Sequence, residues 1–442
     1  MNLLKDDIRV IYFRYLFPSL FSGLIMSIYS LVDMIVVGQY EGSAGTAALA
    51  CIAPFWTFFC CLSVLFGNGG AVLFSTAKGE GNVEESKAAF TVSFILISLV
   101  TAIVWISIIL FDEQLLRLFG ADYALLPLAV RYMRWLKWGI PLWPIGYFLG
   151  MFVRNDGSPG IVGIATICGG VLNICGDFFL TFTCNMGIEG AAIATVAGQG
   201  IAFLLQFVHF FRKKNTISFV VITSFVKRSK EVVTIGFSSF VCSVGMGIMV
   251  ILFNNQIRRY FGNNELAVYG VATNIFMLIQ TFSYGIGNAA QPIVAENLGA
   301  GKDARVIQTR RMGSLAAIVI GSVAATVTVL FPGQIIRLYM DVSREILEIA
   351  PGILRNYFIC LFFVPFNVFA TYYLQAVQRV KESVIVSVLR GFVLGSIFVC
   401  LFPSSFGPDA IWSVMLSTEC ITAFLVMWMF KKKRCGKENN GI

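Results

Sequence analysis

Twelve long apolar runs, separated by short polar or glycine-bearing stretches, occupy nearly the whole chain. They fall at roughly 11 to 40, 46 to 76, 87 to 111, 124 to 153, 160 to 182, 189 to 211, 231 to 260, 266 to 297, 304 to 331, 345 to 377, 383 to 403 and 408 to 430. A helix needs about 20 predominantly apolar residues to cross a bilayer, and each run is long enough. The pattern predicts an all-α integral membrane protein with twelve transmembrane helices.

Composition agrees. Of 442 residues, 57% are hydrophobic and 13% charged, with a mean hydropathy of +0.80. A soluble domain of this size needs far more surface charge, whereas lipid solvates apolar side chains on the outside of a helix bundle. The first run is too long for a secretory leader and lacks a small-residue cleavage site, so no cleavable signal is expected. Most of the 33 Lys and Arg lie in alternate connecting segments, including "RKKN" at 212 and "KKKR" at 431, while only Arg117, Arg258, Arg259, Arg337 and Arg344 lie in the opposite loops. The positive-inside rule then puts both termini in the cytoplasm. The net charge of +9 is spread along loops rather than gathered on one face, so nucleic acid is not the expected partner. The eleven cysteines, among them Cys51, Cys60, Cys61, Cys175, Cys242 and Cys400, fall in apolar runs and read as small buried hydrophobes. None is spaced for zinc near the lone histidine, His209, so no structural metal is expected.

Sliding the chain on itself by 220 residues aligns "FGNGG" at 66 with "IGNAA" at 286, "GEG" at 79 with "GAG" at 299, "FDEQLLRL" at 111 with "FPGQIIRL" at 331, and "GIE" at 187 with "GPD" at 407. The chain is therefore read as two copies of a six-helix unit. Six being even, the copies enter the bilayer in the same sense, as parallel repeats around a central cleft. The implied division is 1–211 for the N-terminal lobe, 212–230 for a cytoplasmic linker, 231–430 for the C-terminal lobe and 431–442 for a basic cytoplasmic tail. The linker's apolar middle suits an interfacial helix.

Against this background few ionisable residues lie deep in the runs, and each such charge costs roughly 2.5–3.5 kcal/mol on insertion scales. Asp33, Asp177 and Glu419 are the clear cases. Asp33 and Asp177 lie about six residues before the outer ends of the first and fifth runs, and Thr195 lies about six after the start of the sixth, on the order of 9 Å deep. Asn173 stands four residues before Asp177 and Tyr29 four before Asp33, each pair on one helix face. Two carboxylates, an amide oxygen, a hydroxyl and a phenol at one depth form an oxygen cage suited to a proton or a sodium ion, with the two acids titrating as a coupled pair. The competing reading makes both acids interhelical glue. The 220-residue offset maps Asp33 onto Phe253, Asp177 onto Ile397 and Thr195 onto Met415, so the second half lacks the cage.

Glu419 is expected to form a structural ion pair with Arg390 of the eleventh run. In the eighth run Asn274, Met277, Thr281, Tyr284, Asn288 and Gln291 form a single stripe at helical spacing. It reads either as a substrate-facing wall of the cleft or as a packing face. Pro18 precedes Asp33 in the first run and gives that helix a potential hinge. "GAGKDA" at 299 lacks the glycine spacing and the hydroxyl residue of a phosphate-binding loop, so ATP is not the driver. No nucleophile or metal constellation points to an enzyme.

"LVDMIVVGQYEGSAGTAALA" at 31, "GNGGAVLFSTAKGEGN" at 67 and "GIGNAAQPIVAENLGAGKDARV" at 285, with the twelve-span plan, resemble the multidrug and toxic compound extrusion (MATE) transporters, in the bacterial branch of DinF-like and MepA-like proteins. The resemblance covers essentially the whole chain. It implies a MATE-like fold in the bacterial inner membrane and antiport, as a monomer, of small amphipathic, often cationic, compounds against H+ or Na+, with no other cofactor. It also implies a cation site at Asp33, Asn173, Asp177 and Thr195, with Tyr29 as a network tyrosine and Pro18 as a bending proline. Some relatives carry an acid in the seventh helix, where this chain has "FSSFVCSVGMGIMV", so no sodium site is expected in that lobe. A polyprenyl-linked lipid or oligosaccharide flippase of related plan is the alternative, kept open by Arg131, Arg134, Lys137 and Arg355.

Overall fold

A computed structural model describes residues 2–339 and 344–432. Residues 433–442, which hold most of the basic tail, lie outside the described residues. Every regular element among the described residues is helical, and ten helical stretches are long and apolar enough to cross a membrane.

The first stretch, α1 (Ile8–Gly79), carries two of the expected spans in succession. It is broken at Gly42, whose φ of 71° and ψ of −158° are not helical. Next come α2 (Val83–Leu118), α3 (Leu126–Gly139) and α4 (Leu142–Asn155). The last two together make the fourth span, interrupted at Ile140 and Pro141, where proline supplies no N–H to carry the helix on. α5 (Pro159–Phe178) continues as a π-helical segment, Phe179–Thr183, before α6 (Ile188–Phe207). α7 (Phe225–Tyr260), α8 (Asn263–Gly299), α9 (Asp303–Leu330) and the short α10 (Pro332–Tyr339) follow. α11 (Arg344–Phe358) and α12 (Val364–Ala376), joined by a 3-10 turn, make the tenth span. α13 (Val380–Val388), a π-helical segment at Leu389–Val393 and α14 (Leu394–Phe406) make the eleventh, and α15 (Val414–Lys432) ends the series. With α1 counted twice, these are the twelve spans.

The chain divides into two compact units, Met1–Gly236 and Phe237–Ile442, with the division inside α7. The internal repeat reaches the backbone: Gly81 and Gly301, and likewise Gly187 and Gly407, sit at positive φ in turns 220 residues apart. Each unit has its own core. In the first, Phe74, Phe90, Phe148 and Phe152 interlock; in the second, Phe253, Tyr269 and Tyr357 do.

Two expectations are corrected. The stretch 215–222 forms no interfacial helix. Its β-branched residues disfavour one. The segment instead lies extended, with Ile217 buried in the N-terminal core and the Val220 N–H donating to Thr91 Oγ1 at 3.2 Å. The cysteines are not all interior: Cys51, Cys61 and Cys242 are buried, but Cys175 and Cys400 are exposed. Lipid accepts a thiol as readily as a protein core does, so an apolar run does not say which way its cysteines face.

Candidate functional site

Helices α5 and α6 approach closely because both faces are built of small residues. A Cβ added to Gly169 would stand 2.6 Å from the Gly198 carbonyl oxygen, and one added to Gly198 would stand 2.6 Å from the carbonyl of Gly169. Small residues at a membrane helix contact permit such backbone approach. One turn further along α5, the same contact brings Asn173 against Thr195 of α6, with Asp177 a turn beyond.

Asn173 Nδ2 donates to Thr195 Oγ1 at 3.3 Å and to Asp177 Oδ1 at 3.5 Å, both long bonds. Tyr132 on α3 places its hydroxyl 3.4 Å from Thr195 Oγ1 and lies within electrostatic reach of Asp33 on α1. The Asp33 and Asp177 carboxyls lie within electrostatic reach of one another. Asp177 is 0%, Asn173 3% and Thr195 7% exposed, while Asp33 is half-buried. Asp33, Asn173, Asp177 and Thr195 thus lie in one neighbourhood. Tyr29 lies within electrostatic reach of Asp33 and is also tied to α6, its hydroxyl accepting from Gln199 Nε2 at 3.3 Å.

Asp33 Oδ1, Asp177 Oδ2 and Asn173 Oδ1 are buried oxygens with no hydrogen-bond partner. Buried polar atoms normally find one, and an orphaned set of hard oxygens fits a proton or a hard cation. No group of three or more His, Cys, Asp or Glu that would hold a metal ion occurs among the described residues. A recess of about 520 Å³, open mouth included, abuts the cluster and is lined by Tyr29, Asn173 and Gln199 together with Met26, Trp143 and Phe203. Pro18 packs against α5, where a Cβ on Gly163 would meet its Cβ at 2.9 Å. The backbone keeps helical angles at Pro18, and Ser22 Oγ donates to the Pro18 carbonyl at 2.7 Å.

In the C-terminal unit, Arg390 Nε lies 2.7 Å from Glu419 Oε1, with both side chains buried. Asn367 Nδ2 donates to Glu419 Oε2 at 2.7 Å, and Arg390 Nη2 to Gln280 Oε1 at 3.1 Å. The α8 stripe does not present one uniform face. Asn274 and Met277 are exposed, Thr281, Tyr284 and Asn288 half-buried, and Gln291 buried. Asn274 and Thr281 donate to carbonyls one turn back, and Tyr284 reaches Met246 Sδ at 3.5 Å. Of the basic residues that kept the flippase alternative open, Arg131 pairs with Glu41 and Glu189, Lys137 with Asp112, and Arg355 donates to the Val329 carbonyl; Arg134 is exposed.

Sequence reasoning missed Tyr132 and Gln199. The signal for Tyr132 was the buried spacing of Ala129, Tyr132, Met133 and Leu136 on an otherwise charged α3. It also missed a cluster at Asp156, in the turn after α4. Lys78 Nζ approaches Asp156 Oδ1 to 2.6 Å, His209 Nε2 lies 2.8 Å from Oδ2, and Thr216 donates through both N–H and hydroxyl, at 2.8 and 2.5 Å. Burial alone would push this carboxyl up, but the bonds from His209, Lys78 and Thr216 and the Lys78 charge hold it below the ordinary aspartate value.

Residues 18–179 and 237–401 match the family model MatE. A protein of Staphylococcus saprophyticus named Multidrug export protein MepA is 24% identical over 94% of this chain and 92% of its own. One of Bacillus subtilis, named Probable multidrug resistance protein YoeA, is 26% identical over 77% and 75%. Among solved structures, one described as the outward-facing conformation of a multidrug resistance MATE family transporter superposes with a TM-score of 0.88 at 21% identity, covering 97% of each chain. A mutant of the Vibrio cholerae MATE transporter VcmN gives 0.88 at 19% identity, over 96% of each. With both repeats matched by the family model and the fold shared end to end, the chain belongs to the MatE family of multi-pass membrane proteins.

Proposed function

We propose that this protein is a secondary active antiporter of the plasma membrane that exports amphipathic organic compounds in exchange for H+ or Na+. The relatives named for multidrug export support the substrate class, and the basic connecting segments support cytoplasmic termini. The observation that carries the coupling mechanism is the set of orphaned oxygens on Asp33, Asn173 and Asp177, held beside Thr195 and Tyr132.

Two carboxyls sharing a poorly solvated site cannot both carry charge without compensation. A proton or sodium ion arriving at Asp33 and Asp177 supplies it. The ion then draws together α1, α5 and α6, which present its ligands. The Tyr29–Gln199 bond joins α1 to α6 beside the adjacent recess, so a change at the acids reaches the recess wall. Movement of α1 against Gly163, where Pro18 packs, is the hinge in this scheme. Coupling requires that the ion bind one conformation more tightly than the other, since equal affinity shifts no equilibrium. The membrane potential adds about 2.3 kcal/mol per charge per 100 mV. Substrate meets the aromatic and methionine side chains of the recess, which suit varied lipophilic bodies.

The test is ethidium uptake into everted vesicles, where export runs inward, under an imposed pH or sodium gradient. Asp33→Asn and Asp177→Asn keep side-chain shape and remove the titration, and each is expected to abolish gradient-driven export while the purified protein elutes as a monodisperse peak. Thr195→Val, which removes the hydroxyl between Tyr132 and Asn173, is expected to weaken it. Undiminished export by either Asn variant refutes the assignment, and the gradient that restarts wild-type export names the ion.

A further inference from the structure

A second recess, of about 540 Å³ with its mouth, lies wholly within the C-terminal unit. Its walls carry four methionines, Met246, Met249, Met277 and Met415, and the rings of Phe253 and Phe276. Methionine is unbranched and polarisable and adapts to ligands of different outline, while the rings offer faces for stacking.

The repeat says what this recess is. Met246, Met249, Arg390 and Glu419 are the 220-residue counterparts of Met26, Tyr29, Gly170 and Gln199, and those four line the recess of the N-terminal unit. Phe253 and Met415, at the positions equivalent to Asp33 and Thr195, also line it. The same place in the second copy has therefore exchanged the oxygens of the ion cluster for an apolar bed, and has gained a guanidinium where the first copy has a glycine.

We propose that the C-terminal recess is a binding subsite for flat aromatic compounds bearing a carbonyl or carboxylate, with Arg390 as the group that meets that acceptor. Glu419 is already met by Arg390 and by Asn367, so the charge pair is balanced and offers no net pull on a cation. Arg390 has five N–H donors, and its hydrogen bonds to Glu419 and Gln280 engage Nε and Nη2 only. The remaining donors belong to a side chain on the recess wall, and a fixed planar fork of this kind matches carboxylate and carbonyl oxygens. Arg390 projects from the π-helical segment Leu389–Val393, an irregularity that recurs at functional sites inside helices. A second organic subsite, distinct from the recess beside the ion cluster, is thus assigned to the copy that lacks that cluster. The assignment rests on the export reading above.

The experiment is equilibrium binding to the full-length protein in nanodiscs, with a fluorescent zwitterionic fluoroquinolone as the acceptor-bearing probe and ethidium as a cation without that group. Wild type is expected to bind both. Met415→Trp narrows the recess while leaving both partners of the ion pair in the chain, and is expected to raise the quinolone Kd by roughly tenfold or more. The double variant Arg390→Gln, Glu419→Gln removes both charges together, leaves no lone buried charge, and is expected to weaken the quinolone while leaving ethidium within about threefold. If the double variant does not fold, Met415→Trp alone decides. Unchanged quinolone affinity in folded Met415→Trp, or equal losses of both probes in the double variant, overturns the subsite. Failure of the export reading shows separately, as wild-type vesicles that export neither compound under any gradient.

Discussion

Gly198→Ala and Gly200→Ala sit two residues apart on α6 and should move the protein in opposite directions. The helix propensity gained on replacing glycine, roughly 0.5–1 kcal/mol, is common to both and cancels in the comparison. What differs is space. At Gly200 the new methyl meets only Leu142 Cδ1 at 3.9 Å, an ordinary contact. At Gly198 it meets the Gly169 carbonyl oxygen at 2.6 Å and Asn173 Cβ at 3.0 Å, and both belong to the α5 backbone or its immediate vicinity. Reaching an ordinary separation near 3.4 Å requires α5 and α6 to part by about 0.8 Å. Overpacking of this kind costs about 1–3 kcal/mol. The same displacement stretches the Asn173–Thr195 bond, already 3.3 Å, past hydrogen-bonding range. Gly198→Ala should therefore melt at lower temperature than wild type in detergent and lose most gradient-driven ethidium export, while Gly200→Ala melts at or above the wild-type temperature and transports normally. Equal melting and equal transport in the two variants would refute the claim that the α5–α6 approach sets the geometry of the ion cluster.

Two further outcomes follow from the turns. Asp156 has a folded-state pKa below its unfolded value, so its contribution is complete above the usual aspartate range near pH 4 and fades as pH falls through the lower folded value; Asp156→Asn should cost about 3 kcal/mol at neutral pH and flatten that acid limb in melting curves taken from pH 6 to 2.5. Gly42 holds a backbone conformation open almost only to glycine, and a methyl added there would meet nothing within 4 Å; Gly42→Ala should thus lower stability by about 1–3 kcal/mol through strain alone, read as a lower melting temperature, whereas Gly81→Ser, another positive-φ turn, serves as a milder comparison.

How much of this was legible in the chain follows from what sets each feature. The spans were, because lipid demands a long apolar run of every crossing helix and that demand is written locally. The repeat was legible for the same reason, since turns at Gly81 and Gly301 need the same backbone in each copy. The acids at Asp33 and Asp177 stood out by their cost in an apolar run, and counting residues from the helix ends placed them at a common level along their helices.

Depth is not direction, however. That Asn173 faces Thr195, that Tyr132 lies near Asp33, and that Tyr29 meets Gln199 depend on how helices remote in sequence are rotated about their axes. Rotation is set by side-chain packing between elements, here by glycines meeting across α5 and α6. The Asp156 cluster was invisible for the same reason: its partners Lys78, His209 and Thr216 come from three separate parts of the chain. So too with the linker, whose apolar residues read as an interfacial helix until packing against Thr91 and the N-terminal core drew it into extended form. The sequence by itself determined which segments cross the membrane, how they repeat and which charges they bury, because those are local costs. Only the tertiary structure decided which of the buried groups touch, because contact depends on the mutual rotation of helices that no local pattern encodes.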